Sequence, residues 1–107
     1  MISTHILDTS IGNPAPNVKV DIFYISEDSY ELIESSQTDN DGRIKFNNAS
    51  KAGKYKLIFH VEPYYQNQNI NYFFTNAPVC FKVEDTTRNY HVPLLLNPYG
   101  YSTYRGS

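Results

Sequence analysis

The chain has 107 residues, 40% of them hydrophobic and 15% aromatic, the aromatics being ten Tyr and six Phe. This length fits one domain with one core, residues 1–107, and leaves no room for a separate cofactor-binding unit. A net charge of −2 with mixed signs offers no basic field for nucleic acid or an anionic membrane, and no stretch approaches the ~20 apolar residues needed to cross a bilayer.

The single cysteine, Cys80, excludes an intramolecular disulfide framework and a four-cysteine zinc site. The opening Met1-Ile2-Ser3-Thr4-His5 lacks a basic segment followed by an apolar run, so the expected location is cytoplasmic. The tyrosine excess points to half-buried or interface surfaces more than to a large dry core.

Turn chemistry punctuates the sequence. Gly12-Asn13-Pro14 with Pro16 breaks the chain after a first short run. Val18, Val20, Ile22 and Tyr24 then share one strand face, with Lys19 and Asp21 on the other. Asp39-Asn40-Asp41-Gly42 is a tight turn, since Asn40 and Gly42 tolerate positive φ, and Arg43 opens the run that follows. The Asn-Asp-Gly triplet hints at calcium, but the twelve-residue loop closing on Glu is missing.

Tyr55, Leu57, Phe59 and Val61 alternate with Lys56, Ile58, His60 and Glu62, the pattern of a half-buried strand. Glu62 to Gln68 suits a short helix with Pro63 in its first turn. Val79–Val83, Tyr90–Leu96 and the tail from Tyr99 read as later strands. Short strands at this spacing with one helix predict an antiparallel sandwich.

Histidine is scarce, at positions 5, 60 and 91. In strand alternation Tyr90, Val92, Leu94 and Leu96 make a core face, which turns His91 outward beside Pro93 and Leu95. An outward apolar face with a histidine in it suits an interface or a pocket; a plain surface histidine is the blander reading, and composition favours it. His5 alone reads as solvated or hydrogen-bonded, and His60 as structural or exposed. No histidine pair has local metal-ligand spacing. Cys80 fits a buried inert thiol, and neither a GxSxG elbow nor a glycine-rich phosphate loop is present. The residues alone stop at a β domain with a few suspicious polar groups.

Three segments together resemble the 5-hydroxyisourate hydrolases of the transthyretin-related family: Ser3-Thr4-His5-Ile6-Leu7-Asp8-Thr9 with Gly12 and Pro14-Ala15, Thr38-Asp39-Asn40-Asp41-Gly42-Arg43, and Tyr90-His91-Val92-Pro93-Leu94-Leu95-Leu96 running on to Tyr104-Arg105-Gly106-Ser107. The Tyr-Arg-Gly-Ser ending distinguishes the hydrolases from the hormone-carrying transthyretins. Between about Ile44 and Val79 the match is one of pattern only.

The resemblance implies an all-β, transthyretin-like sandwich of two four-stranded antiparallel sheets with one short helix. It implies a homotetramer, a dimer of dimers, with sites in a central channel and 5-hydroxyisourate as the small-molecule substrate. The family's functional set falls on His5, Arg43, His91 and Ser107, with Tyr104 and Arg105 in the same motif as substrate contacts. His91 is then the general base and His5 positions water or shuttles a proton, though the two roles are interchangeable. Arg43 faces the developing charge, and Ser107 offers its hydroxyl or terminal carboxylate. No metal or organic cofactor is implied. The rivals are a transthyretin-like carrier of a hydrophobic small molecule and, further off, an interaction module without chemistry.

Overall fold

The computed structural model describes residues 1–106; Ser107 lies outside the described residues. Nine strands and one short helix follow in chain order. They are β1 (Ile2–Asp8), β2 (Asn13–Pro14), β3 (Lys19–Ser26), β4 (Ser29–Gln37), β5 (Arg43–Phe46), β6 (Gly53–His60), α1 (Glu62–Gln66), β7 (Ala77–Val83), β8 (Tyr90–Asn97) and β9 (Gly100–Thr103).

One sheet has the order β4-β3-β6-β7 and is antiparallel throughout. The other runs β2-β1-β8-β9, with β5 also on β1. The second sheet corrects the expectation of four antiparallel strands. It has five strands, and β1 pairs β8 in parallel, Ile2 opposite Tyr90 through Asp8 opposite Leu96. Alternation reports which face a residue takes and is the same for either strand direction.

Strands β5 and β2 share one edge of β1 in succession. Residues 2–5 pair with β5 and residues 7–8 with β2. Ile6 is the changeover: its N–H donates to the Gly42 carbonyl at 2.8 Å, and its carbonyl accepts from Ala15 N–H at 3.0 Å. Gly42 takes φ +73°, and a Cβ there would stand 2.6 Å from the Ile6 carbonyl oxygen, so the turn that delivers Arg43 demands glycine. Asn40, the other expected left-handed position, does not have positive φ.

The period-2 runs explain the core. Ile2, Ile6, Ile44, Phe46, Val92, Leu94 and Leu96 are buried from one sheet, and Val20, Ile22, Tyr55, Leu57, Phe59 and Val83 from the other. Burying such a side chain contributes roughly 1.5–3 kcal/mol. Strand β4 has no such signal, with Tyr30 and Leu32 exposed, because it is an edge strand. Cys80 is exposed rather than buried: Ala77, Val79 and Val83 take the inward positions of β7, which turns Cys80 out. His60 is half-buried, its Nε2 2.8 Å from Asp21 Oδ2 across β3 and β6.

Candidate active site

The site forms on the outward face of the mixed sheet. In β1 the inward residues are Ile2, Thr4, Ile6 and Asp8, so Ser3, His5 and Leu7 point the other way and are half-buried. In β5, Ile44 and Phe46 are buried, which turns Arg43 and Lys45 to that same face. In β8 the alternation turns His91 outward, as expected.

Register then sets who meets whom. His5 is the direct partner of Arg43, and Ser3 of both Lys45 and His91. Opposed residues on one sheet face have Cβ atoms about 5 Å apart. His5 and His91 are diagonal neighbours across β1 and β8. Ser3 and His91 are 88 positions apart in the sequence, yet Ser3 Oγ lies 2.8 Å from His91 Nδ1.

The tail closes this row. Gly106 bridges His91, its N–H donating to the His91 carbonyl at 2.8 Å. Thr103 Oγ1 donates to the Pro93 carbonyl at 2.7 Å and pins the end of β9 to β8.

Electrostatics favour neutral imidazoles. Burial lowers the His91 pKa below its usual value, and the charges of Arg43 and His5 push the same way. Burial also lowers that of His5, followed by Arg43; the Asp41 backbone carbonyl and the carboxylates of Asp39 and Asp41 pull in the opposite direction without overcoming it. At neutral pH the face therefore carries two basic nitrogens beside a fixed guanidinium, a set able to activate water and to stabilise an oxyanion.

The structure thus gathers His5, Arg43 and His91 on one face. It places Tyr104 and Arg105 elsewhere. Both line a crevice of about 250 Å³ with Val79, Phe81, Tyr90 and Val92, at the sandwich edge formed by β7, β8 and the tail. The Arg105 guanidinium sits 4.6 Å from the centre of the Tyr90 ring, so its contact is with an inward-facing residue and not with the histidines. Ser107 follows Gly106 and lies outside the described residues. Sequence reasoning gave Ser3 no role; it has only the signal of alternation, two positions before His5 on the same face. Among the described residues, no group of three or more His, Cys, Asp or Glu side chains is placed to hold a metal ion.

Two sheets packed face to face, with a short helix after the third strand of the all-antiparallel sheet, define a transthyretin-type β-sandwich. Its likeness to sea bream transthyretin in complex with thyroxine has a TM-score of 0.90 at 29% identity, covering 98% of this chain and 93% of that one. The profile of the HIUase/Transthyretin family matches residues 2–106, and the chain belongs to this family. Within it, the 5-hydroxyisourate hydrolase of Salmonella dublin is 42% identical over 110 residues, covering 100% of this chain and 81% of that protein. The 5-hydroxyisourate hydrolase of Klebsiella pneumoniae superimposes with a TM-score of 0.82 at 34% identity, covering 99% and 92% of the two chains. No helix among the described residues is long and apolar enough to cross a membrane.

Proposed function

We propose that this chain hydrolyses 5-hydroxyisourate, opening its six-membered ring to give 2-oxo-4-hydroxy-4-carboxy-5-ureidoimidazoline. The observation that carries the reading is the register of β1: it sets His5 opposite Arg43 and Ser3 opposite His91 on one outward face. Relatives named for this hydrolysis support the choice of substrate.

In this reading His91 accepts a proton from water while the water oxygen attacks an amide-type carbonyl carbon. Arg43 donates hydrogen bonds to the carbonyl oxygen as it gains charge. The carbon–nitrogen bond then breaks, and the leaving nitrogen takes a proton from a histidine, with His5 holding water or relaying that proton. Ser107, the residue after Gly106 in the sequence, orients a histidine or the substrate in this reading. Tyr104 and Arg105, substrate contacts by the resemblance, lie in the tail, which the Arg105 guanidinium over the Tyr90 ring helps to hold.

The reactive face is an open sheet surface, and such chemistry needs water excluded around the developing charge. We infer that further copies of the chain close it, as a dimer of dimers with the sites in a channel. Two features support this: the half-buried outward Leu7 and Leu95, and the free edges of β7 and β9.

Carriage of an apolar small molecule is the second reading, favoured by the likeness to the thyroxine complex. Two imidazoles and a guanidinium on the face that would line the channel argue against it. The deciding assay generates 5-hydroxyisourate from urate with urate oxidase and follows its near-ultraviolet decay. The protein is expected to accelerate that decay, and His91→Asn, Arg43→Ala or deletion of Ser107 to abolish the effect in folded protein. Near-normal rates in all three variants would overturn the assignment.

A further inference from the structure

We propose that Ser3 is the positioning residue of His91, fixing the imidazole through Nδ1 so that Nε2 presents a free lone pair to the open face. This rests on the hydrolase reading above and deepens it.

The geometry is specific. Ser3 is the Cα partner of His91 in the parallel register, and its hydroxyl lies 2.8 Å from Nδ1. The opposite edge of the ring is held by the tail, where a Cβ on Gly106 would stand 2.7 Å from His91 Cδ2. With Nδ1 bonded and Cδ2 blocked, the Nε2 edge is the one turned to the open face.

A hydroxyl both accepts and donates. When Ser3 Oγ accepts from Nδ1–H, Nε2 is unprotonated and ready to act as a base. When Nε2 has taken the proton from water, Nδ1–H still donates to Oγ, so the contact survives the transfer. A partner that only donates would hold Nδ1 bare and leave the proton on Nε2, the wrong tautomer for a base. Ser3 faces outward from the core, so its hydroxyl is not required for packing between the sheets.

The charged and titratable groups acting on this ring are Arg43 on β5 and His5 on β1, with Lys45 on β5 opposite Ser3; Asp39 and Asp41, in the turn before β5, act on His5. All of them remain when Ser3 is changed. A hydrogen bond accepted from Nδ1–H favours the charged ring, so losing it moves His91 titration to lower pH.

The test compares Ser3→Ala, Ser3→Cys and Ser3→Thr with the unaltered protein in the 5-hydroxyisourate assay, together with nitrogen NMR of the His91 ring. Ser3→Ala is expected to lose about tenfold in kcat, the rate equivalent of one neutral hydrogen bond, while KM stays within about twofold. Its acid limb should move to lower pH, and its ring nitrogens should report a mixture of tautomers. Ser3→Cys, which keeps the volume but bonds weakly, should follow Ala, and Ser3→Thr should restore kcat, the limb and the single tautomer.

An unchanged tautomer and pH limb in Ser3→Ala would overturn the proposal, whatever happens to the rate. So would equal impairment in Ser3→Thr and Ser3→Ala. An unaltered protein that leaves 5-hydroxyisourate decay unaccelerated would instead sink the hydrolase reading, and the NMR comparison would still decide whether Ser3 sets the tautomer.

Discussion

Gly106 lies so close to the His91 imidazole that a Cβ on it would stand 2.7 Å from Cδ2 and 3.3 Å from Cγ of both the ring and Pro93. Glycine at this place is therefore a demand of the site and not of the backbone. Gly106→Ala is expected to push the ring off its position. Misplacing a reacting group by about 1 Å costs up to ~100-fold in rate. We expect a loss of at least about tenfold in kcat, with a melting temperature close to that of the unaltered protein. Full activity in the alanine variant would show that the tail does not hold the ring.

Gly42 is constrained by the backbone. Its φ of +73° and the Ile6 carbonyl, 2.6 Å from any added Cβ, leave no room for a side chain. Gly42→Ala is expected to destabilise the fold by more than about 1 kcal/mol, read as a fall in the urea midpoint. Because Ile6 N–H donates to the Gly42 carbonyl, the strain reaches the pairing that sets His5 opposite Arg43. Activity per folded molecule should therefore fall as well, and an unchanged midpoint would count against the turn as the anchor of Arg43.

How far the site could be read beforehand follows from what alternation encodes. The outward turn of His91 is legible because Tyr90, Val92, Leu94 and Leu96 are all apolar and all buried. The meeting of His91 with Ser3 is not, since it depends on a parallel pairing between the first and eighth strands, and nothing local to either strand specifies its partner. Strand β4 is not legible in the sequence because an exposed edge strand carries no two-residue period. The apolar neighbours of Cys80 suggest burial, but the inward face taken by Val79 and Val83 excludes it from the core. The resemblance implies a substrate contact for Arg105; the position of its cation over Tyr90 depends on how the tail packs, which no local pattern encodes.

His5 and His91 both have pKa values lowered first by burial and then by Arg43. The rate should therefore rise with pH along a limb centred below 6.5 and be level by neutrality. Stability follows the same groups. Between the lowered native values and 6.5 the unfolded chain binds more protons than the native one, so stability rises with pH across that window and is lost as pH falls through it. Replacing both histidines by Gln should remove that part of the acid sensitivity. A kcat/KM limb centred above 6.5 would contradict the neutral-base assignment.

Two adjacent tyrosines on α1 should respond in opposite directions to loss of their hydroxyls. Tyr64 donates to Asp8 Oδ2 at 2.7 Å, and its pKa is pushed up to about 12 by burial and then by that bond. Asp8 is 1% exposed and its other oxygen serves Ser10, so Tyr64→Phe strips a buried carboxylate oxygen of its donor. The expected cost is about 1–3 kcal/mol. The Tyr65 hydroxyl is buried and meets no hydrogen-bond partner among the described residues, while its ring stacks on Tyr72 at 6.0 Å. Tyr65→Phe keeps the stacking and removes a polar atom that already lacks its bond, so it should be neutral or stabilising. Equilibrium unfolding of the two variants side by side checks the pair. A destabilisation of Tyr65→Phe as large as that of Tyr64→Phe would show that the Tyr65 hydroxyl has a partner after all, and that the Asp8 contact is not what ties α1 to β1.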